Sequence, residues 1–453
     1  MSASAEFTPP MPAPARRASG AILSLLRARG DILSAFPQDA YRRQLMALSL
    51  PGRRIFIVNH PDLIRHVFIT QHETYQRKSR FMEQVLEPIV GDSLFISHGT
   101  VWVERREVVA QPLHPARIGQ FHDLFLRAAD ELVEDLARGA PGPVDFAAAY
   151  AGATARVMML ALFGPKVPRE DSAALANAFA AYQQAADNVD LRTLLNLPAW
   201  LRGRQSRTAR DMADALRTLI RRNIVAALAD PPPLLAALLG ARRADGSAII
   251  AGEALVNEVA MLLLAGSETS ANVLTWTTYL LAAHPPTLRT LMDEFARLSP
   301  GRPPSAEEMA SLVATRAVLQ EAMRLYPPVA ILSRQALADD ALRHWTVREG
   351  NMVMAVPWLL HRHAMWWHRP HAFLPERFLP DNAKRQPKFT YLPFGIGPRV
   401  CAGAAFATAE MTVFLAVLLR RFVPVVPSGW APVPYCRLTL RPRDGMPLML
   451  ARR

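Results

Sequence analysis

Residues 394–403 read Phe-Gly-Ile-Gly-Pro-Arg-Val-Cys-Ala-Gly, a cysteine held between glycines just ahead of an apolar, helix-forming run over 404–422. A helix starting there aims its first unpaired N–H groups back at the sulfur, and those donors with the helix dipole stabilise negative charge. Cys401 therefore reads as a thiolate ligand for iron. Gly395 and Gly397 allow a backbone tight enough to turn further N–H groups on the sulfur. Gly403 leaves room for a flat macrocycle, and Arg399 offers a cation to a carboxylate. A lone cysteine is more often a buried small hydrophobe; here other segments of the chain answer to the same chemistry.

Ala265-Gly266-Ser267-Glu268-Thr269 falls within the longest helical pattern, 252–283, about 45 Å long at helical rise. An acid beside an alcohol suits oxygen activation. Thr269 would hydrogen-bond bound dioxygen, and Glu268 would recruit water for proton delivery. Gly266 would leave a side-chain gap and loosen the helix locally. A polar stripe on an amphipathic helix would look similar. Glu321 and Arg324 lie three apart on one helical face inside A-V-L-Q-E-A-M-R-L-Y-P-P. On a surface such a pair is worth little; the apolar company and Arg377 in P-E-R-F argue for burial. Trp102 and Arg106 share a helical face, and a one-residue register error would exchange Arg106 with Arg105. His361, His363, His368 and His371 crowd together without a repeated ligand spacing or a carboxylate shell, which speaks against a metal site. Val400 breaks any Gly-x-Gly-x-x-Gly fingerprint.

The elements that must position these groups are mostly helical. A strand over 53–58 leads into a turn and a helix, and helical periodicity covers 121–137, 147–162, 209–229, 252–283, 286–298 and 313–325. Short strands are expected at 344–347, 352–356 and 437–440, and the closing T-L-R-P-R-D-G-M-P-L-M-L as a hairpin turning at Asp444-Gly445. No linker or repeat divides the chain. The expectation is one mainly α domain with small β-sheets over 36–453, behind a flexible leader, 1–35, carrying four prolines and Arg16 and Arg17.

The leader lacks an apolar run near membrane length, so no transmembrane segment is expected. A weakly amphipathic piece, 21–26, is compatible with peripheral membrane contact. The net charge of +13 is almost all arginine, with lysine only at 78, 166, 384 and 388. Its scatter excludes a nucleic-acid face, while an acidic protein partner or an anionic membrane remains compatible. Two cysteines, Cys401 and Cys436, imply no disulfide framework and a reducing, cytoplasmic setting.

On these residues the chain resembles the cytochrome P450 superfamily, in its bacterial-type soluble form. The haem signature Phe-x-x-Gly-x-Arg-x-Cys-x-Gly is met at Phe394, Gly397, Arg399, Cys401 and Gly403, and the distal-helix pattern Ala-Gly-x-Asp/Glu-Thr at 265–269. Family-like features run from 53 to 450. The resemblance implies a triangular, mainly helical single domain with haem b between the long distal helix and the cysteine-loop helix. It implies Cys401 as axial ligand of the haem iron, and Trp102, Arg106, Arg334 and Arg399 at the haem propionates. Phe394, Gly395, Gly403, Ala265 and Gly266 would then lie against the cofactor. Glu268 and Thr269 take catalytic roles, and Glu321, Arg324 and Arg377 form a network fixing the cysteine loop.

The implied reaction inserts one oxygen atom from O2 into a lipophilic substrate by hydroxylation or epoxidation. Only residues 402–453 follow the cysteine, too few for a reductase domain. Reducing equivalents from NAD(P)H would therefore arrive through a separate ferredoxin or flavodoxin and its reductase. Lys384, Arg385, Lys388, Arg420 and Arg421 would form a basic docking face, and the protein is expected to be a monomer. A peroxide-driven peroxygenase and a non-catalytic haem-thiolate sensor stay open as alternatives. The substrate stays open among terpenoids, fatty acids and aromatic polyketides, with Arg80 available to a carboxylate.

Overall fold

The computed structural model describes residues 7–15, 31–50, 52–185, 207–298 and 304–453. The main elements begin with β1 (Leu45–Leu50), β2 (Arg53–Val58), α1 (Arg80–Val90), α2 (Gly99–Ala110), α3 (His122–Arg138), β3 (Val144–Asp145), α4 (Phe146–Phe163) and α5 (Arg169–Ala185). There follow α6 (Arg207–Ala227), α7 (Pro233–Gly240), α8 (Glu253–Ala283), α9 (Pro285–Phe295), α10 (Val313–Leu325), β4 (Leu332–Gln335), β5 (Asp340–Leu342), β6 (Trp345–Val347) and β7 (Met352–Ala355). The chain closes with α11 (Ala404–Arg421), β8 (Phe422–Val425), β9 (Pro434–Cys436), β10 (Leu440–Pro442) and β11 (Pro447–Arg452).

Helix α8 spans 31 residues and is buried on nearly every face between Leu255 and Leu281. A helix apolar all round belongs inside a large core, and α4, α11 and α10 pack against it. Polar groups reinforce the α4–α8 contact: Thr154 Oγ1 donates to the Ser267 carbonyl at 2.8 Å, and the Tyr150 and Thr278 hydroxyls meet at 2.9 Å. Phe121 and Phe125 hold Phe406 of α11 edge-to-face, with centroids 5.1 and 4.8 Å away. Ordered this way, α8 and the start of α11 face each other across a gap.

The larger sheet has strand order β1-β2-β7-β4, with β2 and β7 parallel and the other pairs antiparallel. Ile55, Phe56 and Val58 of the expected strand are buried. The C-terminal hairpin is not formed. The chain does turn at Arg443 and Asp444, but β10 pairs with β9, and β11 pairs with β3 and β8. The physical reason is Asp145: its Oδ1 accepts from Ala147 N at the start of α4 and from Met446 N, which draws β11 onto β3.

The leader expected to be flexible is docked wherever it is described. Phe7 lies against His284 and Phe373 at centroid distances of 5.9 and 6.3 Å, and Tyr326 Oη donates to Pro10 O at 2.7 Å. Asp31 accepts from Cys436 N and from Leu33 N. Arg16, Arg17 and the amphipathic stretch 21–26 lie outside the described residues. Among the described residues, α4 alone is long and apolar enough to cross a membrane, and 67% of it is buried inside the fold.

Candidate active site

Between α8 and the cysteine loop lies a cavity of ≈ 270 Å³. Cys401, Phe394, Gly395 and Gly403 border it on one side, and Ala265, Gly266 and Thr269 on the other. Trp102, Arg106, Arg334, Arg399 and Lys78 also line it, and among the described residues no aspartate or glutamate does. The remaining wall is mostly apolar, with Leu94, Phe95 and Val329 among it and Ser270 and Ser333 as its polar members.

Local backbone geometry presents the sulfur. Cys401 N donates to Phe394 O at 2.8 Å and Val400 N to Gly397 O at 3.0 Å, closing the loop before α11. Gly397 has φ +73°, and a Cβ there would sit 2.0 Å from Phe68 O, so only glycine fits. Burial pushes the Cys401 thiol above its ordinary range, while the Gly403 N–H, Arg106 and Lys78 pull it down. The loop donors by themselves therefore do not make a thiolate. A metal ion on the sulfur would, since a coordinating thiol loses its proton.

The cations are costly to hold as they stand. Arg334 is 5% exposed, and burial, then Arg399, lowers its pKa to about 9. Arg399 falls to about 10 through burial and Arg106, and it donates to Ser97 O at 2.6 Å while lying over Trp102. Lys78 is held well below its usual range by burial, then by Arg334 and Arg399. Four cations sharing a poorly solvated cavity with no acid among its described residues call for an anionic guest. A flat apolar group with two carboxylates and a metal for the sulfur fits this donor set. Of the two neighbouring arginines, Arg106 lines the cavity, whereas Arg105 turns to Glu258 at 3.4 Å. Lys78 was missed in the sequence, where nothing distinguishes it from a surface lysine.

On α8 the acid and the alcohol part company. Thr269 lines the cavity, with Oγ1 donating to Ala265 O at 2.7 Å. Glu268 is absent from the lining and accepts instead from Thr439 Oγ1, in the turn between β9 and β10. The local loosening expected at Gly266 does not occur, since α8 runs unbroken. Nor is its side-chain gap empty: a Cβ would lie 2.4 Å from Met158 Sδ, so the glycine serves the close approach of α4. A second acid escaped the sequence reading. Glu410 of α11 is fully buried, and burial raises its pKa to about 8 against the pull of Ser270.

Glu321, Arg324 and Arg377 do come together. Arg324 Nε and Nη2 reach the two Glu321 oxygens at 2.7 and 2.8 Å, and Arg377 Nε stands 3.5 Å from Oε1. Glu321 also accepts from Leu374 N, and Arg324 donates to the carbonyls of His361, Pro370 and Ala372. His361 continues the chain of contacts by accepting from Leu392 N at 2.8 Å, two residues before Phe394. Burial, then Arg324 and Arg362, drops the His361 pKa to about 3, which keeps the ring a neutral acceptor. Among the described residues no group of three or more His, Cys, Asp or Glu side chains that could hold a metal ion occurs.

A helix buried on nearly every face, set over a cysteine in a cavity whose four cations have no acidic partner among the described residues, defines a helical protein built to enclose a flat metal cofactor beside a mostly apolar chamber. The chain belongs to the cytochrome P450 family, whose model, "Cytochrome P450", matches residues 14–446. It is 29% identical over 439 residues to cyclooctatin synthase of Streptomyces melanosporofaciens, spanning 95% of this chain and 91% of that one. It is 30% identical over 413 residues to the chloroplastic carotene epsilon-monooxygenase of Arabidopsis thaliana, spanning 84% and 75%. The crystal structure of a cytochrome P450 (CYP102L1) shares the fold at TM-score 0.80 and 23% identity, over 92% of this chain and 96% of that one. The protein is thus a cytochrome P450 monooxygenase that uses haem and O2 with reducing equivalents from a partner, on a lipophilic substrate.

Proposed function

We propose that Cys401 would bind the iron of haem b and that Arg106, Arg334, Arg399, Lys78 and the Trp102 indole would hold its propionates. The observation that carries this is a cavity lined, among the described residues, by one thiol, four cations and no acid. When bound, the cofactor supplies activation of O2. Phe394, Gly395, Gly403, Ala265 and Gly266 shape the faces against which it lies. Thr269 exchanges its bond to the Ala265 carbonyl for one to the cavity, and its hydroxyl moves a proton inward. Glu268 relays that proton from the outer side of α8 after leaving Thr439. Glu321, Arg324 and Arg377 keep the segment leading to Cys401 in place.

The substrate we assign is a terpenoid hydrocarbon or alcohol, hydroxylated or epoxidised at an unactivated carbon. The apolar wall supports it, as do relatives named for carotene and for cyclooctat-9-en-7-ol. Electrons originate from NAD(P)H and pass through a ferredoxin or flavodoxin and its reductase. Exposed Lys384, Arg385, Lys388 and Arg421 and half-buried Arg420 offer an acidic carrier a basic face. The protein acts as a cytoplasmic monomer.

The test is spectroscopic. The reduced protein under carbon monoxide should absorb at roughly 450 nm, and Cys401→Ser should abolish that band. A carbonyl spectrum unaltered in Cys401→Ser refutes the assignment. Terpenoids should shift the Soret band of the oxidised protein, and turnover should require reduced carrier. Turnover with hydrogen peroxide alone, matching the carrier-driven rate, would favour the peroxygenase reading instead.

A further inference from the structure

Glu258 lies on α8 fully buried, nearly three turns before Glu268, and has no place in the chemistry above. Its Oε1 accepts from Leu94 N at 2.9 Å and faces Arg105 Nε at 3.4 Å, while Oε2 has no hydrogen-bond partner among the described residues. Arg105 of α2 is 8% exposed. It donates to Asp92 O and lies 3.5 Å from the Asp92 carboxylate. Two charges of opposite sign on α8 and α2 thus grip the segment 91–98 by its backbone. That segment carries Leu94 and Phe95, both in the cavity wall.

The neighbouring contacts pull the same way. Gly91 is pressed so close to α8 that a Cβ would lie 2.3 Å from Asn257 Oδ1. Arg217 of α6 donates to Ile89 O at 2.7 Å and to Asn257 Oδ1 at 2.7 Å, and it pairs with Glu253, as Arg221 also does. At the far end, Arg399 donates to Ser97 O. Polar bonds from α8, α2, α6 and the cysteine loop therefore fix a wall that apolar contacts would otherwise leave free to slide.

We propose that Glu258 and Arg105 are specificity-determining positioning residues. Their ion pair holds the Leu94–Phe95 wall inward, and so sets the width of the substrate chamber at that end. The proposal rests on the reading that this cavity receives the substrate beside the haem. Protonation of Glu258 keeps an acceptor for Leu94 N–H but removes the attraction to Arg105, so the wall relaxes outward. Burial raises the Glu258 pKa to about 7, against Arg105 and the Leu94 N–H and with Asp92 adding to the rise. The chamber should therefore be wider on the acid side of neutrality.

The probes are imidazole and the bulky triaryl azole clotrimazole, titrated by the Soret shift of the haem-loaded protein. The quantity read is the ratio of their dissociation constants, each expressed for the unprotonated azole, because both rings take up protons near neutrality and to different extents. In the wild type this ratio should favour clotrimazole more at about pH 6 than at about pH 8, and in Glu258→Gln it should be flat. The paired variant Glu258→Leu with Arg105→Leu leaves no orphan charge and should keep its fold. It should favour clotrimazole by about tenfold over wild type, the scale of one methylene of pocket space. A wild-type ratio independent of pH, or a folded paired variant with the wild-type ratio, overturns the proposal. The roughly 450 nm carbonyl band, recorded on every sample, shows separately whether the haem-thiolate reading stands.

Discussion

Replacing Gly266 by alanine asks whether α4 really occupies the gap above the cavity. The new methyl would lie 2.4 Å from Met158 Sδ, 2.9 Å from Cγ and 3.0 Å from Cε. Apolar contacts settle at about 3.5–4.0 Å, so the thioether must withdraw by about 1 Å. Alanine within a helix gains about 1 kcal/mol over glycine, whereas overpacking a core costs about 1–3 kcal/mol. The net expectation is a loss of up to about 2 kcal/mol. Met158 is 4% exposed and borders the cavity, so its retreat is expected to take up space a ligand would use. Ligand affinity should therefore fall by about tenfold, as one displaced methylene would predict. Thermal unfolding and Soret titration of the single variants and of Gly266→Ala with Met158→Ala read both effects. The cycle should show a favourable coupling of about 1–2 kcal/mol. A more stable Gly266→Ala protein with unchanged affinity and additive effects would refute the reasoning.

Three other perturbations follow from the same geometry. Glu321→Gln leaves Arg324 and Arg377 buried without their carboxylate and should cost about 3–5 kcal/mol, read as a lowered Tm by calorimetry; an unchanged Tm would contradict it. Glu410 has its pKa raised from 4.5 to about 8 by burial, so its stabilising contribution is complete below about pH 4.5 and is lost as pH rises toward 8. Glu410→Gln should accordingly flatten that decline in denaturant unfolding measured across the interval, and an undiminished slope would count against it. Lys78→Met should speed haem transfer to apomyoglobin, while Lys78→Arg should not; equal transfer rates would remove Lys78 from the propionate set.

Much of the helical frame could be read from apolar spacing alone. The pattern over 313–325 coincides with α10, and that over 252–283 with α8 to within a residue, because such long periodic runs leave no competing fold. The C-terminal strands were not legible. Asp444-Gly445 is a good turn, but its flanks are claimed by β9 and by β3 and β8, a choice made by Asp145 some three hundred residues earlier. The same limit governs the site. Glu321, Arg324 and Arg377 carry their meaning in local motifs, so their clustering could be anticipated. Lys78, Glu258 and Glu410 acquire theirs only through partners distant in sequence. The rotation of Glu268 toward Thr439 likewise depends on where the β9–β10 turn comes to rest.

Phe7 between His284 and Phe373 has a practical side. Tyr326, which holds Pro10 by its hydroxyl, stacks on Trp276 of the distal helix with ring centroids 3.9 Å apart. Residues 7–10 thus fill an aromatic socket formed by His284, Phe373 and Tyr326. An expression clone trimmed to start after Ala15 would uncover that aromatic socket and should come out of cells poorly folded. Supplying the missing piece as a synthetic peptide should mend it in trans.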